Sequence, residues 1–157
     1  SKQVSITRRL EFDSGHRIPN HCGQCRNIHG HRYRLDLTLS GEVLHREGAS
    51  DDGMILDFGD IKALANEHLV NKWDHAFLIY RGDTALLNFL QSMEGHKTVV
   101  LDAIPTVENL AQVAFDILAP VFKDCFGHHL QLTRLVLFET PNCWAEVSAP
   151  AVLPAQD

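Results

Sequence analysis

Two alternating stretches, and the histidines at their ends, constrain this chain more than any other feature. Near the start, Val4, Ile6, Leu10 and Phe12 alternate with Ser5, Thr7, Arg9, Glu11 and Asp13. From His31 to Leu39, Tyr33, Leu35, Leu37 and Leu39 alternate with Arg32, Arg34, Asp36 and Thr38. Period 2 marks a strand with one face in a core and the other toward water. His16 keeps the apolar parity of the first stretch, and His29-Gly30-His31 opens the second. Residues i and i+2 of a strand point the same way, so His29 and His31 can reach one ion, with Gly30 leaving room between them. A pairing that buries both apolar faces brings His16 beside them.

Three histidines with no fourth protein ligand form the pattern of a catalytic zinc site with one open position. Iron, copper and nickel also accept imidazole, so Zn2+ is a preference drawn from ligand type. Ten histidines make some close pairs by chance, and the adjacent His128-His129 is read as one.

The remaining pattern suggests what holds these strands. A Gly/Pro/Asn/Cys-rich loop, roughly residues 17–28, separates them, and a loop of that length in a compact domain is usually functional. Residues 58–70 read as a helix with Ile61, Leu64, Ala65 and Leu69 on one face, started by Asp57 or Phe58, with Asp60 in its first turn. Residues 84–92 suggest a short helix and Thr98–Leu101 a short β segment. Thr106, after Pro105, reads as an N-cap. Leu110, Val113, Ala114, Ile117, Leu118 and Val121 then follow at helical spacing, until Pro120 bends or ends the helix. Leu130–Phe138 and Trp144–Val147 read as a closing strand pair around Thr140-Pro141-Asn142. Strands at both ends with helices between argue for an α+β fold: an antiparallel sheet, helices on one face, and the other face covered by oligomerisation.

The 157 residues, 45% apolar and 22% charged, suit one domain spanning 1–157. No apolar run approaches the roughly 20 residues of a membrane span, and Ser1-Lys2-Gln3-Val4 has no leader pattern, so the expectation is a cytoplasmic protein with no membrane partner. A net charge of −6 argues against nucleic acid. Residues 1–46 nevertheless hold eight Lys/Arg against four Asp/Glu. Arg17, Arg26, Arg32 and Arg34 surround the histidine motif, which suits an anionic small ligand, although any one of them also reads as a solvated side chain. Cys22, Cys25, Cys125 and Cys143 do not have zinc-ribbon spacing.

Six motifs, in order, resemble the 6-pyruvoyl-tetrahydropterin synthase / 6-carboxy-5,6,7,8-tetrahydropterin synthase family. They are Phe12-Asp13-Ser14-Gly15-His16-Arg17-Ile18; Cys25-x3-His29-Gly30-His31-Arg32-Tyr33; the run from Gly53 to Lys62; Trp73-Asp74-His75; the run from Pro105 to Ala111; and Phe138-Glu139-Thr140-Pro141. The resemblance implies the tunnelling fold (T-fold), a four-stranded antiparallel sheet with two main helices on one face. It implies a homo-hexamer, a dimer of trimers, with sites between subunits. It implies His16, His29 and His31 as zinc ligands, Cys25 as the catalytic cysteine, and Asp74 and His75 as its partners in proton transfer. Glu139 would anchor the pterin, with Thr106 and Glu108 near its pocket. Taken alone, Cys25 reads as an ordinary thiol, His75 as a core histidine, Glu139 as an exposed strand-end residue and Glu108 as a helix-start charge.

The spacing Cys25-x3-His29 resembles the carboxy branch, which belongs to queuosine (7-deazapurine) biosynthesis. That branch takes a pterin triphosphate, 7,8-dihydroneopterin triphosphate, to 6-carboxytetrahydropterin with loss of acetaldehyde and triphosphate. The alternatives are the pyruvoyl reaction, which only eliminates triphosphate, a non-catalytic pterin- or metal-binding paralogue, and a mononuclear zinc hydrolase. The last would want a carboxylate near the open position, and the sequence places none clearly. Cys22 and the long stretch Tyr80–Ile104 depart from the shortest family members.

Overall fold

A computed structural model describes residues 2–150; Ser1 and residues 151–157 lie outside the described residues. Strand β1 (Val4–His16) and strand β2 (His29–Gly41) pair antiparallel in unbroken register, from Val4 opposite Gly41 to His16 opposite His29. A 3-10 turn, Gln24–Arg26, sits in the loop between them. Helix α1 (Phe58–Ala65) runs through a π-helical turn (Asn66–Val70) into the short α2 (Asn71–Trp73). Then come β3 (Ala76–Tyr80), α3 (Thr84–Ser92), β4 (Thr98–Leu101), α4 (Val107–Phe126), β5 (Leu130–Thr140) and β6 (Cys143–Ser148).

The strands form one sheet in the order β4-β3-β1-β2-β5-β6. The expected four-stranded antiparallel sheet is present as β1, β2, β5 and β6, and β3 and β4 extend it in parallel beyond β1. β3 hid from a period-2 reading because it is buried on both faces. Ala76 and Leu78 enter the main core, while Phe77 and Ile79 pack with Leu86 and Leu90 of α3 in a second, smaller one. Buried parallel strands read as continuous apolar runs. The two main helices share one face as expected, and α3 covers the opposite face of β3.

The main core packs Leu10, Phe12, Tyr33, Leu35, Leu37 and Leu39 against Ile61, Ala65 and Leu69, and against Leu110, Ala114, Leu118 and Phe122 of α4. Asp57 caps α1, accepting from Gly59 N–H at 2.7 Å. Thr106 caps α4, accepting from Asn109 N–H at 3.1 Å. Pro120 does not end α4, which continues to Phe126. A register shift opposite Thr38/Leu39 lets Leu130 and Leu132 share a face with Leu135 and Leu137 despite their opposite parity.

Beyond α3, the sheet's other face is mixed, with polar pairs on β1 and β2 and with Val136 and the Phe138–Trp144 ring contact on β5 and β6. Ser5 bonds Ser40, Thr7 bonds Thr38, and Arg9 reaches Asp36 at 2.8 Å. Among the described residues, no helix is long and apolar enough to cross a membrane.

Candidate metal centre and its surroundings

The β1/β2 register carries His16, His29 and His31 to one end of the helix-covered face. Their ring centroids lie 4.5 Å apart for His16–His29 and 5.0 Å apart for the other two pairs. One ligand atom from each can be chosen so that all three lie within 4.8 Å of one another. Gly30 does not act as expected: strand parity sends it to the opposite face, directly across from Gly15. A Cβ on Gly30 would sit 3.2 Å from the Ser14 carbonyl oxygen, so glycine lets β2 lie close on β1.

Two of the rings are oriented from behind. His16 Nδ1 meets the Pro105 carbonyl at 2.8 Å, and His29 Nδ1 meets the Asn27 carbonyl at 2.6 Å. Donation from Nδ1 leaves Nε2 with its lone pair. The Nε2 atoms of His16 and His31 are buried without a hydrogen-bond partner. Buried polar atoms are seldom left so, and a metal ion would satisfy both. Burial lowers the His16 imidazole to about 4, and the charges of His29 and His31 act in the same direction against the Pro105 hydrogen bond. Burial also lowers His31, with Glu139 opposing. Both shifts favour the neutral, ligating form. The residues fit the expected zinc.

Glu139, near the end of β5, brings its Oε1 to 3.3 Å from His16 Nε2 and 3.6 Å from His31 Nε2. A carboxylate therefore borders the histidine cluster, which spacing alone could not reveal. Tyr33 lies beneath, its ring 5.8 Å from His31 and its buried hydroxyl without a partner. Burial, with the charge of Glu139, pushes that hydroxyl well above the usual tyrosine range. Sequence reasoning gave Tyr33 a core role only; its signal was the one hydroxyl on an otherwise aliphatic strand face.

Asp74 and His75 lie elsewhere. His75 Nδ1 is 3.0 Å from Asp74 Oδ2, and the ligand atoms of Asp13, Asp74 and His75 form a second compact group. Asp13 has the parity opposite to Phe12 and His16, and it pairs with Arg32 at 3.0 Å. This group is therefore on the open face of the sheet. It borders a cavity of about 530 Å³ whose floor includes Gly15 and Gly30. His75 is exposed, not a core histidine, and its φ is 60°, a left-handed conformation uncommon outside glycine. Its N–H donates to the Asp13 carbonyl at 2.6 Å, and Lys97 Nζ donates to the carbonyls of Asp74 and Asn71, holding the turn. The Asp13 N–H holds the Asp74 carboxyl below the usual range, and His75 adds to this.

Cys25 is exposed, in the 3-10 turn, and its carbonyl accepts from Ile18 N–H at 2.8 Å. Cys22 is a free, exposed thiol as well. The Thr106 hydroxyl oxygen is committed to its cap, beside the Pro105 carbonyl that orients His16. Glu108 is exposed in the first turn of α4. Of the four arginines, Arg17 pairs with Asp83 and Arg32 with Glu11 and Asp13, whereas Arg34 lies 3.7 Å over the Phe138 ring. Arg26 reaches the Cys22 carbonyl at 3.3 Å.

Comparison with known proteins places this geometry. A family model described as 6-pyruvoyl tetrahydropterin synthase matches residues 5–150. A Rickettsia bellii protein named 6-carboxy-5,6,7,8-tetrahydropterin synthase is 37% identical over 145 residues, 92% of this chain and 99% of the relative. A Haemophilus influenzae protein of the same name is 29% identical, covering 90% and 96%. Among solved structures, an uncharacterized protein from Wolinella succinogenes superposes with a TM-score of 0.77 at 20% identity, covering 96% of this chain and all of that one. The Caenorhabditis elegans 6-pyruvoyl tetrahydropterin synthase superposes with a TM-score of 0.66 at 22% identity, covering 95% and 97%. At such identities the structural likeness speaks for the fold.

Proposed function

The chain belongs to the 6-pyruvoyl tetrahydropterin synthase family, and from that footing we propose that it is a zinc-dependent 6-carboxy-5,6,7,8-tetrahydropterin synthase. Its substrate is 7,8-dihydroneopterin triphosphate, its by-products are acetaldehyde and triphosphate, and it works in the cytoplasm on the queuosine route. One observation carries the reading: three imidazoles converge, two with unpartnered buried nitrogens, in a chain with Cys25 four residues before His29. The carboxy-type names of the relatives favour this reaction over the pyruvoyl one.

His16, His29 and His31 would hold the ion, and a bound zinc supplies a Lewis acid for the hydroxyls of the substrate side chain. The remaining work belongs to the chain. Glu139, as a carboxylate, accepts two hydrogen bonds from the amidine-like edge of the pterin and fixes the ring. Cys25, as the thiolate, takes a proton from the side chain and, as the thiol so formed, returns one. His75, with Nδ1 3.0 Å from Asp74 Oδ2, relays protons. Thr106 and Glu108 line the approach to the pterin. A single domain carries all of these groups, with His75 on the open face and the histidine cluster on the covered one. That separation supports a site completed by a second copy of the chain, as in a hexamer built from two trimers.

Incubation of zinc-loaded protein with the triphosphate tests the reading. Acetaldehyde and triphosphate should appear in equal amounts. A retained three-carbon side chain would assign the pyruvoyl reaction instead. Cys25→Ala should abolish turnover and keep zinc; a variant as active as the parent would remove the thiol from the mechanism.

A further inference from the structure

Residues 80–104 contribute no group to the proposed chemistry, yet one side chain in that stretch reaches toward it. Asp83 is the N-cap residue of α3, a position where an aspartate carboxylate ordinarily accepts a helix N–H. Here it accepts none. Both of its oxygens face Arg17 instead: Arg17 Nε donates at 2.6 Å to Oδ2, and Nη2 donates to Oδ1. The Asp83 side chain is 5% exposed and that of Arg17 31%. A buried, bidentate arginine–carboxylate pair fixes both distance and orientation.

Arg17 follows His16 directly, and the next residue, Ile18, donates its N–H to the Cys25 carbonyl at 2.8 Å. A short path thus runs from Asp83 through the Arg17 side chain and the Ile18 N–H to the backbone of Cys25. The loop holding Cys25 is otherwise exposed from Asn20 to Ile28, except for Gly23. We propose that Asp83 is a positioning residue for Cys25, acting through Arg17 to set where the thiol stands relative to the histidine cluster. The stretch from Tyr80 to Ile104 is then a brace for the catalytic loop. The proposal rests on the reading of Cys25 as the proton-transferring thiol.

The test uses the full, zinc-loaded chain. In Asp83→Asn, kcat should fall at least about tenfold with KM within about twofold, since a misplaced group slows the chemical step more than binding. Zinc content should stay at the parent value. The rate at which iodoacetamide alkylates Cys25, followed peptide by peptide, should change at least about threefold while Cys125 and Cys143 keep their rates. Asp83→Glu should recover most of the lost kcat by keeping the charge. If Asp83→Asn does not fold, Arg17→Gln breaks the same pair from its more exposed side and should give the same pattern. At low temperature and without denaturant, where the small core stays closed, Leu86→Ala, which thins that core without touching the pair, should lower stability and leave Cys25 alkylation at the parent rate. The proposal falls if Asp83→Asn or Arg17→Gln leaves both kcat and Cys25 alkylation within twofold of the parent. It also falls if Leu86→Ala shifts Cys25 as much as they do. The alkylation readout is independent of turnover. An active Cys25→Ala would end the catalytic reading while leaving the mechanical link between Asp83 and Cys25 measurable.

Discussion

The two faces of the β1/β2 ribbon do opposite things with the same backbone. On the covered face, Phe12, Tyr33 and Leu35 lead to His16, His29 and His31, and burial there lowers the pKa of His16 and His31. On the open face, Glu11, Asp13 and Arg32 lead to Asp74 and His75, whose Oδ2 and Nδ1 stand 3.0 Å apart. One side gathers three imidazoles, the other an imidazole among carboxylates. Side-chain parity alone achieves the separation, because consecutive residues of a strand cannot share an environment.

The comparison breaks most visibly at the covered face. His31→Ala should lower zinc affinity by more than about a hundredfold, since a ligand matters at least as much as its outer-shell support; metal content after dialysis measures it. His75→Ala should cut turnover about a hundredfold or more, the scale of general acid–base catalysis, and leave zinc content unchanged. A His75→Ala protein that lost its metal would show that the two faces are not independent. A third expectation concerns acid. The folded His16 has a pKa of about 4 against 6.5 for the ordinary side chain, so the unfolded chain binds more protons between those values. Its contribution is present above pH 6.5 and is lost as the pH falls toward 4, about 3 kcal/mol for metal-stripped protein. Urea unfolding at several pH values would follow it, and zinc should shield the site until protons displace the ion. The smallest effect belongs to the open face: Asp36→Asn, which breaks the pair with Arg9, should cost less than about 1 kcal/mol in the same assay. Leu37→Ala, its covered-face neighbour, should cost about 3 kcal/mol.

How much of this was legible in the sequence follows from which physics set each part. Strands half in water announce themselves by alternation, so β1, β2, β5 and β6 were readable, and with them the convergence of the three histidines. β3 was not, because Phe77 and Ile79 are as buried as Ala76 and Leu78. The π-helical turn at Asn66–Val70 left no mark, since the residues that widen a helix are the same ones that continue it. Asp57 and Thr106 were readable as caps because a short polar side chain before an apolar helix has few other uses. The position of Glu139 at the cluster depends on three strands and one register shift, a long-range product that no local pattern encodes. Arg17 looked free to meet an anion, and its partner lies 66 positions away.

Among the described residues, the small core beneath α3 has Phe77, Ile79, Leu86 and Leu90 as its buried members. So thin a lobe opens on its own before the body of the protein does, and its amides should exchange with solvent ahead of those in β2 and α4. Each such opening slackens the grip on Arg17. Warming or mild denaturant should therefore quiet the enzyme well below the temperature or concentration at which the rest of the molecule melts.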